Sequence, residues 1–295
     1  MQASKGLLGF LLTVGLISVA WSQELSPREQ AQRILDGLHY QSGTIKIDGD
    51  LATLDLPDSL QYLDPQDTRT VLVDLWGNPP DGVDTLGMIV PNGVSLISAE
   101  SWAVVVTYEE DGHVKDDDAE KINYNELLAE MKKSTAEENS ERTRQGYQPI
   151  ELIGWAAPPK YDKEGKKLYW AKELAFGGDA EHTLNYNIRI LGRKGVLVLN
   201  AIAAEKDLPV IEAATPELLK AVSFNPGNRY ADFDSSTDKV AAYGIAALVA
   251  GGIAAKAGLF KGLWLAILAF KKFIILGLAA IGAFIAKIFK KKPAA

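Results

Sequence analysis

The stretch LNYNIRILGRKGVLVLN (184–200) leaves the chain little freedom in its local fold. Leu184, Tyr186, Ile188 and Ile190 alternate with Asn185, Asn187 and Arg189, the period-two pattern of a strand with one buried face. Gly192 to Gly195 turns the chain, and Val196, Leu197, Val198 and Leu199 return apolar on both faces. A strand covered on both sides belongs near the middle of a sheet. The polar row of Asn185, Asn187 and Arg189 then faces either a covering helix that satisfies it or a ligand.

Other segments supply partners for this hairpin. Ser26-Pro27-Arg28-Glu29 is a capping box that opens a helix to about Leu38. Thr44 to Ile47 and Leu51 to Leu56 flank the turn Asp48-Gly49-Asp50, a hairpin signal. Thr70 to Trp76, Trp102 to Glu109, Ile150 to Ala156 and Leu168 to Phe176 read as strands, the last of them beside the opening hairpin. Helices are expected from Tyr124 to Arg144, capped by Asp117 with Glu120 or by Asn123 with Glu126, and from Glu205 to Ala221. Strands interleaved with two long helices give an α+β class, a mostly antiparallel sheet with covering helices.

Charge divides the chain of 295 residues more sharply than its total of -7 suggests. All 38 acidic residues lie between Glu24 and Asp238, and after Lys239 there are eight lysines and no acid. The segment between the two ends carries about -16, which argues against nucleic acid as a partner, since phosphate contacts need clustered Lys and Arg. Residues 1–22 read as a secretory signal peptide: Lys5, an apolar run from Gly6 to Val19, and small Ser18 and Ala20 ahead of Trp21. An uncleaved anchor is the alternative, and either exports residues 23–224 as the main domain. Residues 225–239 read as a linker rich in Pro, Gly, Ser and Asp.

Residues 240–295 read as a membrane anchor region with a Lys-rich tail. Val240 to Ala255 is apolar and reaches the length of a span at Phe260 if Lys256 snorkels, whereas Phe273 to Ala286 is short for one. Acids before the span and lysines behind it place the main domain outside and the lysines in the cytoplasm. Ala247, Gly251 and Ala255 form a small-xxx-small row through which a homo-oligomer could pack. The absence of cysteine means that the exported domain does without disulfides.

The motifs GWAAPPKYDKEGKKLYWAKEL, LNYNIRILGRKGVLVLN, WGNPP, GHVKDDDA and RYADF…DKVAAYGIAALVAGG together resemble the bacterial membrane-anchored proteins grouped as domain of unknown function 2167. The likeness runs from about Gly43 to Gly252. It implies a bacterial envelope protein whose exported domain would lie in the periplasm, anchored by its C-terminal region in the bacterial inner membrane, and carries no established activity. The closing order of three strands and a helix is also similar to the fold shared by photosystem extrinsic P-subunits and Mog-type Ran-binding proteins.

Signals for catalysis are weak. His39, His113 and His182 show no metal-ligand spacing, no G-x-S-x-G marks a serine, and no cofactor motif is present. His113 and His182 are expected in loops. An acid–base site could be assembled from Asp116, Asp117, Asp118, Glu173 and His182 only if the fold brings them together. The residues better suited to recognition are Trp170, Lys172, Glu173, Asn185, Asn187 and Arg189, on two strands expected to be neighbours. The leading expectation is a binding module for an unknown envelope protein or ligand. An envelope hydrolase using acidic residues and an oligomeric membrane assembly regulated by its exported domain are the alternatives.

Overall fold

A computed structural model describes residues 26–78, 80, 84–98, 101–144, 146–178 and 182–251. Helix α1 (Pro27–Asp36) opens on the expected capping box, Ser26 and Glu29 exchanging hydrogen bonds. Strands β1 (Thr44–Ile47) and β2 (Ala52–Asp55) form the expected hairpin. After β3 (Leu60–Leu63) the chain departs from the sequence expectation: α2 (Pro65–Thr70) runs on into a π-helical turn over Val71–Leu75. The β-branched residues around Thr70 suggested a strand, but Asp64 caps the helix by accepting from the Asp67 amide and Pro65 occupies its first turn. Val71 and Leu72 then bury against the sheet.

Next come β4 (Gly87–Pro91), β5 (Ala103–Glu109), β6 (His113–Lys115) and α3 (Tyr124–Arg144). Of the two caps considered for α3, Asn123 is the one used, its Oδ1 accepting from the amides of Asn125 and Glu126. A meander follows: β7 (Ile150–Asp162), β8 (Lys167–Phe176), β9 (Thr183–Leu191) and β10 (Val196–Ala204). Helix α4 (Leu208–Ala221) and β11 (Val222–Phe224) complete the expected domain. The chain then adds β12 (Val240–Gly244) and α5 (Ile245–Ala250).

The class is α+β, with antiparallel sheets and helices. Seven strands pair in the order β3-β4-β5-β10-β9-β8-β7, all antiparallel, so the doubly apolar strand β10 is the middle one, as its sequence demands. A second sheet, β1-β2-β11, packs with α4 on one face of the seven strands. That face is one continuous core: Leu184, Tyr186, Ile188 and Ile190 of β9 meet Leu54, Val222 and Phe224 of the small sheet and Ile211 and Leu218 of α4.

The opposite face carries three separate apolar clusters. One lies under α2 around Leu72, Met88 and Val105. One lies under α3 around Met131, Leu152 and Phe176. The third joins Leu168, Trp170, Val196 and Val198 to β6, β12 and α5 through Val114, Ala241, Ile245, Leu248 and Val249.

Two boundaries therefore differ from the sequence reading. Residues 225–239 are not a free linker: Arg193 grips Asp238 with Nε at 2.6 Å and Nη2 at 3.1 Å, and Tyr230–Asp232 forms a 3-10 turn against β6. Residues 240–250, read as the start of a span, are a strand paired parallel to β6 and a short helix buried against the sheet. Their apolarity serves the core of the domain. No helix among the described residues is long and apolar enough to cross a membrane. The expected signal peptide, residues 1–22, and the apolar segments beyond Gly251 lie outside the described residues.

Candidate functional site

The side chains singled out on the sheet come together on the face with three clusters. Lys172 of β8 pairs across the ladder with Asn185 of β9, Trp170 with Asn187, and Leu168 with Arg189, while Asn200 of β10 lies opposite Asn187. Side chains at paired positions share a face, so Trp170, Lys172, Asn185, Asn187, Arg189 and Asn200 form one patch. All six are buried, so of the two arrangements the sequence left open for this row the covered one is found; Lys172 is 8 % and Arg189 9 % exposed.

The amides satisfy each other. Asn187 Nδ2 donates to Asn185 Oδ1 at 2.7 Å, and Asn185 Nδ2 donates to Asn200 Oδ1 at 3.0 Å. The cations have no carboxylate partner among the described residues. Arg189 places its guanidinium 5.3 Å from the Trp170 ring centre and makes a single hydrogen bond of 3.4 Å, to the Ile188 carbonyl. Trp170 Nε1 is buried with no acceptor, and Lys172 has no acceptor among the described residues. Burial, and then the charge of Arg189, push the Lys172 amine down to about 7. Burial also lowers Arg189, against the pull of Glu109 and Tyr243, and burial raises Glu109 against the pull of Arg189.

Glu173 points the other way. It pairs with Leu184, on the face of the continuous core, and meets His182, which precedes β9, and Glu205, which follows β10. His182 Nδ1 bonds Glu173 Oε1 and lies 3.8 Å from Glu205 Oε2. Ligand atoms of these three residues fall within 4.8 Å of one another, so the fold assembles a Glu–His–Glu set that sequence spacing could not show. Glu173 takes the His182 nitrogen as a hydrogen-bond partner, so these two side chains are already committed to each other. A groove of about 430 Å³ between α3 and the ends of β7 and β8, lined by Lys132, Asn139, Ile150 and Glu151, contains none of these residues.

The acidic loop is structural. Asp116 accepts from Tyr161 Oη at 2.6 Å, Lys166 Nζ at 2.7 Å and Tyr230 Oη at 2.9 Å. Burial works against its charge, but the bonds from Lys166, Tyr161 and Tyr230 outweigh it and hold the carboxyl at about 2. Asp118 accepts from the amides of Ile245 and Ala246 at 3.1 and 3.2 Å and so caps α5 from a distance. Gly244 must be glycine for this approach, because a Cβ there would lie 2.7 Å from the Asp118 carboxylate. Asp117 is exposed.

Lys166 and Lys167 mark the Asp116 end of β8, six residues and about 20 Å from Glu173, so the five residues of the acid–base alternative form no joint site. His113 is not in a loop either. It begins β6, is buried, and stacks 4.0 Å from Phe233 and 4.2 Å from Tyr230. In the row proposed for helix association, Gly251 adopts φ +76 and ends α5, which separates it from Ala247 on any continuous helix face; Ala255 lies outside the described residues.

Sequence reasoning missed Asn200, Glu109 and Glu205. Asn200 alone left a trace, a polar residue ending the apolar run of β10.

These features define an α+β domain built on a seven-stranded antiparallel sheet, with a cationic patch buried on one face. A family model described as "Protein of unknown function (DUF2167)" matches residues 39–282, and the chain belongs to that family. Comparison with curated proteins returns no match. Among solved structures, the chain is similar to the PsbP protein CyanoP of Synechocystis sp. PCC 6803, at 13% identity and TM-score 0.33, over 64% of this chain and 95% of that one. It is similar to the Ran-binding protein Mog1p of Saccharomyces cerevisiae, at 10% identity and TM-score 0.34, over 63% and 96%. It is also similar to LpqN of Mycobacterium tuberculosis, described as involved in cell envelope biogenesis, at 14% identity and TM-score 0.33, over 66% and 96%. At these TM-scores the likenesses carry no argument about what this chain does.

Proposed function

We propose that the protein is a membrane-anchored component of the bacterial envelope whose exported α+β domain is a binding module. The observation that carries this reading is the buried patch on β8, β9 and β10, where the Trp170 N–H is buried without an acceptor and Lys172 and Arg189 have no acidic partner at hydrogen-bonding distance among the described residues. Burying such groups costs free energy unless something else is gained, and a waiting ligand is one such gain. The signal-peptide pattern of residues 1–22 and the basic apolar tail support export and anchoring in the inner membrane. A hydrolase built from the acidic residues has less support, because Asp116 and Asp118 are committed to structure and stand far from Glu173 and His182.

The test is crosslinking in intact cells from a benzoylphenylalanine placed at Trp155, an aromatic, half-buried position on β7 directly across from Lys172. A specific adduct with one envelope component is the expected result. A protein that is exported and folded but yields no adduct, from Trp155 or from an exposed control at Lys160, would count against a binding module. Protease accessibility of the domain in spheroplasts, with the tail protected, checks the orientation.

A further inference from the structure

Resting on the binding-module reading, we propose that the buried patch takes an oxyanion, a carboxylate or phosphate group of the ligand, between the Lys172 ammonium and the Arg189 guanidinium and beside the Trp170 indole. Both cations are more than nine-tenths buried, and neither has an acidic partner at hydrogen-bonding distance among the described residues. Lys172 brings three donors, Arg189 five with one of them weakly used, and Trp170 one with no acceptor. These two cations act on each other, since the charge of Arg189 is felt at Lys172. Two like charges sharing a buried site repel, and a shared anion converts that repulsion into two attractions.

The acid nearest in effect, Glu109, acts on Arg189 through space and forms no ion pair with it. Register puts it on β5 opposite Val196, whereas Arg189 stands opposite Val198, so it is two strands and one side-chain step away. The guanidinium lies over the indole at 5.3 Å, and a cation held on a ring keeps its in-plane N–H fork free for a planar or tetrahedral oxyanion. The amide network of Asn185, Asn187 and Asn200 fixes the floor between the cations, as satisfied amides hold their rotamers. On this face the three apolar clusters leave out Lys172, Asn185, Asn187, Arg189 and Asn200, and only Trp170 belongs both to the patch and to a cluster, so the polar seam runs between the apolar blocks of the covering layer. A neutral ligand would leave Lys172 and Arg189 without a counter-charge in contact, which is why the class is anionic.

The experiment compares the melting temperature of the full-length chain in a neutral detergent in chloride, acetate and inorganic phosphate at equal ionic strength. Acetate or phosphate is expected to raise it by a few degrees over chloride, and Lys172→Met to abolish that rise while itself melting no lower than the wild type. A rise with acetate alone assigns a carboxylate, and one with phosphate alone a phosphate. No rise with either anion, or the same rise in Lys172→Met, overturns the proposal, the latter showing only general exclusion of the salt from the surface. Arg189→Gln is the second variant, read by mass-spectrometric acetylation: phosphate or acetate should protect Lys172 at least about threefold in the wild type and not in this variant. Equal protection in both overturns the assignment of Arg189. An adduct from Trp155 without any anion effect leaves a binding module with a different ligand; an anion effect without an adduct leaves the oxyanion site and removes the macromolecular partner.

Discussion

The two faces of the seven-stranded sheet are built from the same strands and differ in what they ask of them. On one face Leu184, Tyr186, Ile188 and Ile190 merge with the small sheet and α4 into one unbroken core. On the other, the alternate residues of the same strand are Asn185, Asn187 and Arg189, and the apolar packing is split into three clusters around them. Period-two alternation normally turns polar residues to water. Here they are turned inward, under a layer that includes α5 and β12. The first face holds the fold together, and the second holds groups whose burial the fold must offset elsewhere.

Breaking the first face should have the largest effect. Ile188 is buried in the continuous core, and Ile188→Ala should cost about 3 kcal/mol through lost burial and the cavity left behind, measured by urea denaturation. The second face should respond in the opposite sense. Lys172→Met keeps the stem and removes a buried unpaired amine, so it should stabilise by about 1–3 kcal/mol in chloride. The sign with pH follows from its lowered pKa. Unfolded, the amine titrates near its ordinary value of about 10.4; folded, near 7. The native state thus binds fewer protons in that window, and the wild type loses stability as pH falls from about 10 to 7, with no further change below. Lys172→Met should flatten this part of the profile of melting temperature against pH. A variant that is destabilised, or an unchanged profile, would mean that Lys172 is satisfied where it lies.

How far the sequence revealed this asymmetry can be judged residue by residue. The hairpin 184–200, its central place and its neighbour β8 were legible, because alternation and a tight turn are local signals. The inward turn of the polar row was not, since period two says that two faces differ and not which of them is covered. What covers part of that face is β12 and α5, whose apolar run Val240–Ala250 looks the same as the start of a membrane helix when read by composition. Thr70 to Trp76 misled for a related reason: its β-branched residues favour a strand, but the cap at Asp64 and the packing of Val71 and Leu72 prevail. The role of Asp116 and Asp118 was hidden because their partners, Tyr161, Lys166, Tyr230 and the amides of α5, lie far along the chain.

Asp118 gives the next prediction. It holds the first two amides of α5, the helix that covers part of the polar face, and Asp118→Ala should cost about 1 kcal/mol. More informative is where the loss appears: amide exchange should accelerate in Ile245 to Val249 and in β12 while β9 and β10 keep their protection, because the continuous face does not depend on this cap. Uniform acceleration would show that the two faces unfold as one unit.

The smallest effect is expected at His113, where the added segment meets β6. Its ring is buried between Tyr230 and Phe233, its Nδ1 has no partner, and burial lowers its pKa although the backbone at Arg193 and Gly192 pulls the other way. A lowered folded pKa means that the unfolded chain takes up the proton first. The stability held by the neutral ring is therefore complete above about pH 6.5 and is lost as pH falls below it. Asp116, at about 2 when folded, contributes a separate loss below about pH 4, as its three donors lose a charged acceptor. Replacing the ring by an apolar one of similar area separates the two: His113→Phe should remove the decline in melting temperature between about pH 7 and 5 and leave the decline below pH 4, whereas Asp116→Asn should do the reverse. If His113→Phe leaves the upper decline in place, the proton responsible lies elsewhere, and the joint between the main domain and its last strand is not what acid loosens first.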